Sequence, residues 1–189
     1  LDVARYKLKF PQRVHLLMGN HDTACITSSD VMKDGREMNR AMLEAIQRKF
    51  GAESQEIIES IRSFLLSQPL AVRTENRVWI SHSLPADRFA EDFDKSVFSR
   101  SITPQDCARN GPVYLLTWGR RHSGRWLDQL AGLLDADVFI LGHQPQEKGW
   151  AIAGDNTLII SSEHDHGCLL EVDLRRKWTA RELESLLPW

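Results

Sequence analysis

Three short apolar segments of this chain are each followed immediately by a polar cluster that contains a histidine. Residues 13–18 lead into Gly19-Asn20-His21-Asp22, residues 77–80 into Ser81-His82, and residues 137–141 into Gly142-His143-Gln144-Pro145. Short, strongly apolar segments predict strands that are covered on both faces of a sheet. Because ligands of α/β sheets bind beyond the carboxyl ends of the strands, we expect the three histidines to converge on one site.

The remaining periodicity predicts helices between and around these strands. Apolar residues recur at helical spacing over 1–10, 35–50, 53–67 and 123–134, and the tail 178–189 predicts one more short helix. Residues 69–81 are typical of a hairpin, and 150–173 of a meander that ends with the strand 168–173. Residues 113–118 are another apolar run, and the polar residues 85–112 predict a long excursion. This order predicts an α/β sandwich rather than a purely parallel, doubly wound sheet.

Composition places the chain among ordinary globular domains and excludes several functions. Its 189 residues amount to about one domain, and the net charge is -2 with a pI near 6.4. This balance offers no basic surface for nucleic acid and no polybasic membrane patch, and no uncharged apolar run approaches the ~18 residues of a membrane span. Three widely spaced cysteines argue against a disulfide framework or a zinc knuckle. We expect a cytoplasmic protein with no nucleic-acid or membrane partner.

The polar clusters, in their order, resemble those of the calcineurin-like metallophosphoesterases, in which Gly-Asn-His-(Asp/Glu), a lone histidine after a strand and Gly-His follow one another. The resemblance is closest to the protein serine/threonine phosphatase branch, with its bacterial members and the related symmetrical dinucleoside tetraphosphatases. In that branch a helical insert follows the first motif, here about 35–67, and QPLAVRTENRVWISHSLP, YLLTWGRR and GHQP match later segments. The resemblance covers residues 1 to about 174. It implies a single calcineurin-like phosphoesterase domain over 1–189, built as a β-sandwich of mixed sheets flanked by helices.

Two motifs of that family, Asp-x-His and Gly-Asp-x-x-Asp-Arg, are absent from the sequence. In the family they precede the helix with which this chain starts, and they supply one metal's ligands, the carboxylate that bridges both metals and one phosphate-binding arginine. We therefore expect an incomplete domain that lacks its first strands and is inactive alone, with one ligand set upstream of Leu1. The loop HSLPAD (82–87) also lacks the paired glycines usual after the lone histidine, so we expect it to have another shape.

The resemblance implies a site with two divalent metal ions, which are Mn, Fe or Zn. Asn20, His82 and His143 would hold the second metal, and mixed nitrogen and oxygen ligands suit all three elements. His21 would be the general acid that protonates the leaving alkoxide, with Asp22 beside it as the orienting partner.

Phosphate binding is implied for two side chains. One is the amide of Asn20, and the other is Arg120, whose guanidinium would grip two phosphate oxygens in a bidentate fork. Arg121 is the nearest competitor for the role of Arg120.

These residues imply a metal-dependent phosphoesterase that hydrolyses phosphomonoesters, above all a serine/threonine phosphoprotein phosphatase. Its substrate would be a phosphorylated protein or a small phosphoester. Two alternatives stay open: a dinucleoside polyphosphate hydrolase of the same fold, and a non-catalytic phosphoesterase-fold fragment that acts by binding. Turnover of a phosphopeptide against diadenosine tetraphosphate separates the two enzymes.

Other residues have weaker claims to chemistry. The cluster Glu163-His164-Asp165-His166 has the composition of a metal site, but a solvated turn is the simpler interpretation and its role stays open. Ser81 and Ser83 flank His82, yet no Gly-x-Ser-x-Gly elbow supports a serine nucleophile. We expect His15 to be structural within its strand and His122 to be exposed.

Overall fold

The computed structural model describes residues 2–162 and 165–187. In chain order its elements are α1 (Asp2–Lys9), α2 (Asn20–Ile26), β1 (Met32–Lys33), β2 (Arg36–Glu37), α3 (Met38–Phe50), α4 (Ser54–Leu66), β3 (Ala71–Arg73), β4 (Val78–Ser81), α5 (Pro104–Cys107), α6 (Pro112–Trp118), α7 (Gly124–Leu134), β5 (Val138–Leu141), β6 (Trp150–Ala153), β7 (Thr157–Ile160) and α8 (Ala180–Glu184).

The chain divides into two compact units. The first consists of the residues up to Leu70 together with Lys95–Tyr114, and the second consists of Ala71–Asp94 together with the chain from Leu115 onward. Within the described residues, no helix is both long and apolar enough to cross a membrane.

The second unit is built on a five-stranded mixed sheet in the order β3-β4-β5-β7-β6. Strand β5 is parallel to β4 and to β7, whereas the hairpins β3–β4 and β6–β7 are antiparallel. All four residues of β5 are buried, as expected for a central strand that is covered on both faces. The predicted α/β class, with mixed strands flanked by helices, is confirmed.

The hydrophobic core of this unit lies between the sheet and α8. Alternate residues of neighbouring strands share one face, on which Val78, Val138 and Leu158 are fully buried against Ala180 and Leu183 of α8. Each of the valine and leucine side chains contributes roughly 1.5–3 kcal/mol by leaving water. Because β4 and β5 are parallel with Ser81 opposite Leu141, their carboxyl ends lie side by side.

In the first unit, several helices pack around α2. Helices α3 and α4 lie where the periodicity predicts helices over 35–50 and 53–67, and α2 contacts α3, α4 and α5. Asp30 accepts hydrogen bonds from the backbone N–H groups of Asn39 and Arg40 at the start of α3, and Arg62 Nε donates to the carbonyl of Cys25 at 3.3 Å. The Asp30 bonds therefore support the start of α3, and the Arg62 bond ties α4 to α2, the helix that begins with the Asn20-His21-Asp22 cluster.

Two predicted strands are wrong. Residues 13–18 belong to no strand, and Met18 N–H donates instead to the Pro69 carbonyl at 3.1 Å. Residues 168–173 alternate as a strand would, with Cys168 buried and Leu169 94% exposed, but they carry no strand ladder in the described chain. Alternation records burial on one face, and a strand also needs a hydrogen-bonded neighbour.

Helices and turns occupy two segments that lack a clear pattern in sequence. The apolar run 113–118 lies in the helix α6, which begins with Pro112; proline favours the first helical position. The polar excursion 85–112 contains short 3-10 turns at Asp87–Phe89 and Lys95–Ser99 and the one-turn helix α5.

One ion pair in the first unit, between the buried Asp106 and the exposed Arg100, supports α5, which packs on α2. Both guanidinium ends of Arg100 donate to Asp106, at 2.8 and 2.7 Å, and Thr103 donates through its backbone N–H and its hydroxyl. The Arg100 guanidinium therefore holds the pKa of Asp106 well below its usual range.

We expect Asp106→Asn to lower the free energy of unfolding by about 2 kcal/mol at pH 7, because hydrogen bonds to charged groups contribute roughly 1.5–3 kcal/mol. A carboxylate with a lowered pKa stabilises the fold above its unfolded pKa of about 4 and loses that contribution as the pH falls toward its folded pKa. The difference between the two proteins should therefore shrink below about pH 4. Urea unfolding at pH 7 and pH 3 measures it, with the exposed Asp128→Asn as control. An equal difference at both pH values would contradict the prediction.

Candidate functional site

Two of the predicted histidines face each other at the carboxyl edge of the mixed sheet. His82 follows β4 and His143 follows β5 by two residues. His82 Nε2 lies 3.1 Å from His143 Nδ1, and the ring centroids are 4.9 Å apart at 54°. The N–H of Gly142 donates to the His82 carbonyl at 3.1 Å, so the backbone pairing of the two strands extends into the site. The convergence predicted for these two histidines follows from the parallel register.

Arg120 binds the same histidine. Its Nε donates to His143 Nε2 at 3.0 Å, and its Nη2 donates to the His143 carbonyl at 3.3 Å. Since a guanidinium can only donate, His143 Nε2 must use its lone pair. In the neutral tautomer the proton then lies on Nδ1 and points to His82 Nε2. Three of the predicted site residues are therefore joined in one hydrogen-bonded row within the second unit.

The backbone is unusual at His143 and at the residue that follows Arg120. His143 has φ +66° and Arg121, next to Arg120, has φ +61°. Residues other than glycine seldom adopt this left-handed region, and the surrounding structure has to enforce it. Arg121 is exposed, and the hydrogen bonds to His143 come from Arg120.

The described residues fit a cation at the histidine pair. Two nitrogens that are each about 2.0–2.1 Å from one metal ion are at most about 4.2 Å apart, and His82 Nε2 and His143 Nδ1 meet that limit at 3.1 Å. A cation on His143 Nδ1 would leave the proton of the neutral ring on Nε2, and Arg120 would then give up its hydrogen bond to that nitrogen. Next to His143, the Gln144 Nε2 is buried without a hydrogen-bond partner among the described residues, so this loop keeps an unused polar donor.

No further metal cluster stands out. The described part of the chain has no group of three or more His, Cys, Asp or Glu side chains that could hold a metal ion. Glu163 and His164 lie outside the described residues, and their neighbours Asp165 and His166 are exposed.

The other cluster, Asn20-His21-Asp22, forms the first turn of α2 in the first unit. Asn20 is buried, with 6% of its surface exposed, and His21 is exposed. Asp22 Oδ2 accepts a hydrogen bond from the Gly19 N–H at 2.7 Å. Burial raises the pKa of Asp22, while this bond and the nearby His21 oppose the shift. Asp22 therefore also caps the start of α2, a role that an acidic residue at the third helical position predicts.

Two histidine expectations are wrong. His15 is exposed and lies in no strand. His122 is half-buried, and its Nε2–H donates to the Leu84 carbonyl at 2.8 Å. Burial lowers the pKa of His122. An isolated histidine in a loop gives no sequence signal for either outcome, because its burial depends on which distant segment crosses it.

Comparison with known proteins gives a structural likeness only. No protein-family model matches the sequence, and no curated protein matches it. Among solved structures, the chain is similar to a protein serine/threonine phosphatase from Saccharomyces cerevisiae with similarity to human phosphatase PP5. The TM-score is 0.61 at 16% sequence identity. This chain has a phosphatase-like fold.

The match covers 85% of this chain and 51% of the yeast phosphatase. The chain therefore spans about half the length of that protein. At this identity the likeness establishes the fold, and the activity has to be argued from the residues of the site.

Proposed function

We propose that this chain belongs to a metal-dependent phosphoesterase that hydrolyses phosphomonoesters. The observation that carries the proposal is the row His82–His143–Arg120, in which two imidazole nitrogens face each other and an arginine adjoins them. Within a phosphatase-like fold, the two imidazoles could hold a cation, and the arginine beside them could bind the oxygens of a phosphate.

In the proposal, Asn20, His82 and His143 hold one divalent cation, which is Mn, Fe or Zn, and a second cation depends on ligands that this sequence does not contain. Bound metal ions neutralise phosphoryl oxygens and make a hydroxide available at neutral pH. Arg120 is exposed, and its guanidinium has the planar fork that binds two phosphate oxygens at once. Asn20 contributes its amide to phosphate binding as well.

His21 is the proposed general acid. It is exposed on the first turn of α2, where its ring could donate a proton to the alkoxide that leaves. Asp22 is the proposed orienting partner beside it; burial raises the pKa of Asp22, and the Gly19 N–H and the nearby His21 oppose that rise.

A phosphoserine or phosphothreonine protein is the proposed substrate, because the solved structure that this chain resembles is a serine/threonine phosphatase by description.

A cytoplasmic setting remains part of the proposal. It is supported by three buried free thiols, Cys25, Cys107 and Cys168. Burial raises the pKa of Cys107 to about 12, which keeps that thiol protonated.

Metal binding by the chain itself tests the proposal. We expect isothermal titration with Mn²⁺ to detect binding to the wild-type chain, and His82→Ala or His143→Ala to weaken it by at least about tenfold, the effect that even an outer-shell substitution produces. His15→Ala removes an exposed imidazole elsewhere and should leave the affinity unchanged. Absence of Mn²⁺ and Zn²⁺ binding, or an equal loss in all three variants, would overturn the assignment.

A further inference from the structure

The loop that follows His82 is tied to the segment that carries Arg120 by a hydrogen bond that the proposed chemistry does not use. Ser83 Oγ donates to the Gly119 carbonyl at 2.6 Å. Ser83 is completely buried, so its hydroxyl does not depend on water for a partner. The bond therefore joins the residue next to His82 to the residue next to Arg120.

Bonds on either side of Ser83 hold the loop in place. The Ser83 carbonyl accepts from Ser81 Oγ at 2.7 Å, and Trp79 Nε1 donates to Ser81 Oγ at 3.0 Å, which anchors the loop to β4. Further along, the Pro85 carbonyl accepts from Trp126 Nε1 at 2.7 Å. Trp126 lies in the first turn of α7. The loop is thus fixed before and after Ser83.

Gly119 permits this close approach. A Cβ atom at Gly119 would lie 1.6 Å from the Leu84 carbonyl oxygen and 3.1 Å from the Ala86 backbone nitrogen. Because both are backbone atoms of a loop that is itself anchored, they have little room to move aside. The two segments therefore pack at a distance that only glycine allows.

We propose that Ser83 is a positioning residue for Arg120. By fixing the Gly119 carbonyl, it fixes the backbone from which the Arg120 side chain reaches His143, with Nε at 3.0 Å. An arginine side chain carries about 2 kcal/mol of rotamer entropy, so a fixed backbone limits the positions that the guanidinium takes beside His143. The inference rests on the proposed function only in assigning phosphate to Arg120.

Ser83→Ala removes the hydroxyl and should release Arg120. We expect the Arg120 Nε–H resonance, followed by ¹⁵N NMR, to exchange with water at least about tenfold faster than in the wild-type chain. We expect affinity for inorganic phosphate, measured with saturating Mn²⁺, to fall by about tenfold, which is the equivalent of one charge-assisted hydrogen bond. The affinity for Mn²⁺ should stay within about twofold, because the metal ligands are intact.

Thr157→Val is the matched control, since Thr157 is also completely buried in the second unit and loses a hydroxyl that donates to Asn156. It should leave both measurements unchanged. Equal changes in Thr157→Val, or an unchanged Arg120 resonance in Ser83→Ala, would overturn the positioning role. If Ser83→Ala alters the resonance while wild type binds no phosphate, the positioning role stands and the proposed function fails.

Discussion

The 189-residue chain alone is expected to hydrolyse an aryl phosphate no faster than background, even with added manganese. Its sequence contains neither Asp-x-His nor Gly-Asp-x-x-Asp, so the proposed site has the ligands of only one cation. Two metal ions about 3.5–4 Å apart are what clamp the phosphoryl group and activate water in binuclear sites. Joining the chain to an upstream segment that carries both motifs should produce manganese-dependent turnover, which the release of p-nitrophenolate measures.

The joined polypeptide also carries the control for this prediction. His143→Ala should abolish its turnover, since that substitution removes a proposed metal ligand, whereas His15→Ala should not. Robust manganese-dependent turnover by the short chain would show that the site has been misplaced. An inactive joined polypeptide that still binds manganese and phosphate would favour the non-catalytic alternative.

The strands that carry the histidine pair were predictable because two local signals agree there. The runs 77–80 and 137–141 are short, strongly apolar and bounded by polar residues. They overlap the observed strands β4 and β5. Their parallel pairing then brings His82 and His143 together. The helices α3, α4 and α7 were equally accessible, since a long apolar period at helical spacing has few competing interpretations.

Short segments were harder to predict, because their structure depends on distant partners. The run 113–118 is too short for its period to distinguish a strand from a helix, and it lies in the helix α6. The segments 13–18 and 168–173 have the composition of strands, but the described chain gives them no ladder. No local pattern reports whether a neighbouring strand is present.

The supporting contacts of the site were beyond sequence analysis for a related reason. The sequence offers no support for Ser83 as a nucleophile beside His82. Nothing local indicates that its hydroxyl reaches Gly119, 36 residues away in sequence. The absence of the paired glycines after His82 predicts a different loop shape, and this stays a prediction. The cap that Asp22 forms on Gly19 could have been predicted, because an acidic third residue is a known signal for a helix start.

His21→Asn is expected to lower the turnover of a poorly leaving alkyl phosphate by ~10²–10⁴-fold in the active, joined polypeptide while metal stays bound. Protonation of the leaving oxygen stabilises only the transition state, whereas a metal ligand acts before substrate arrives. His21 is exposed on α2, so asparagine should be accommodated without loss of the fold. Parallel assays of kcat/KM and of metal content by elemental analysis make the measurement.

The neighbouring side chains provide the contrast for this prediction. Asn20→Ala and His82→Ala should lose metal and activity together, because both are proposed ligands. The defect of His21→Asn should also shrink for aryl phosphates with acidic leaving groups, which depart without a proton. A loss that is equal for good and poor leaving groups and is accompanied by loss of metal would make His21 a ligand. Its role as an acid would then be excluded, because removal of a proton donor cannot cost the same when the leaving group needs no proton.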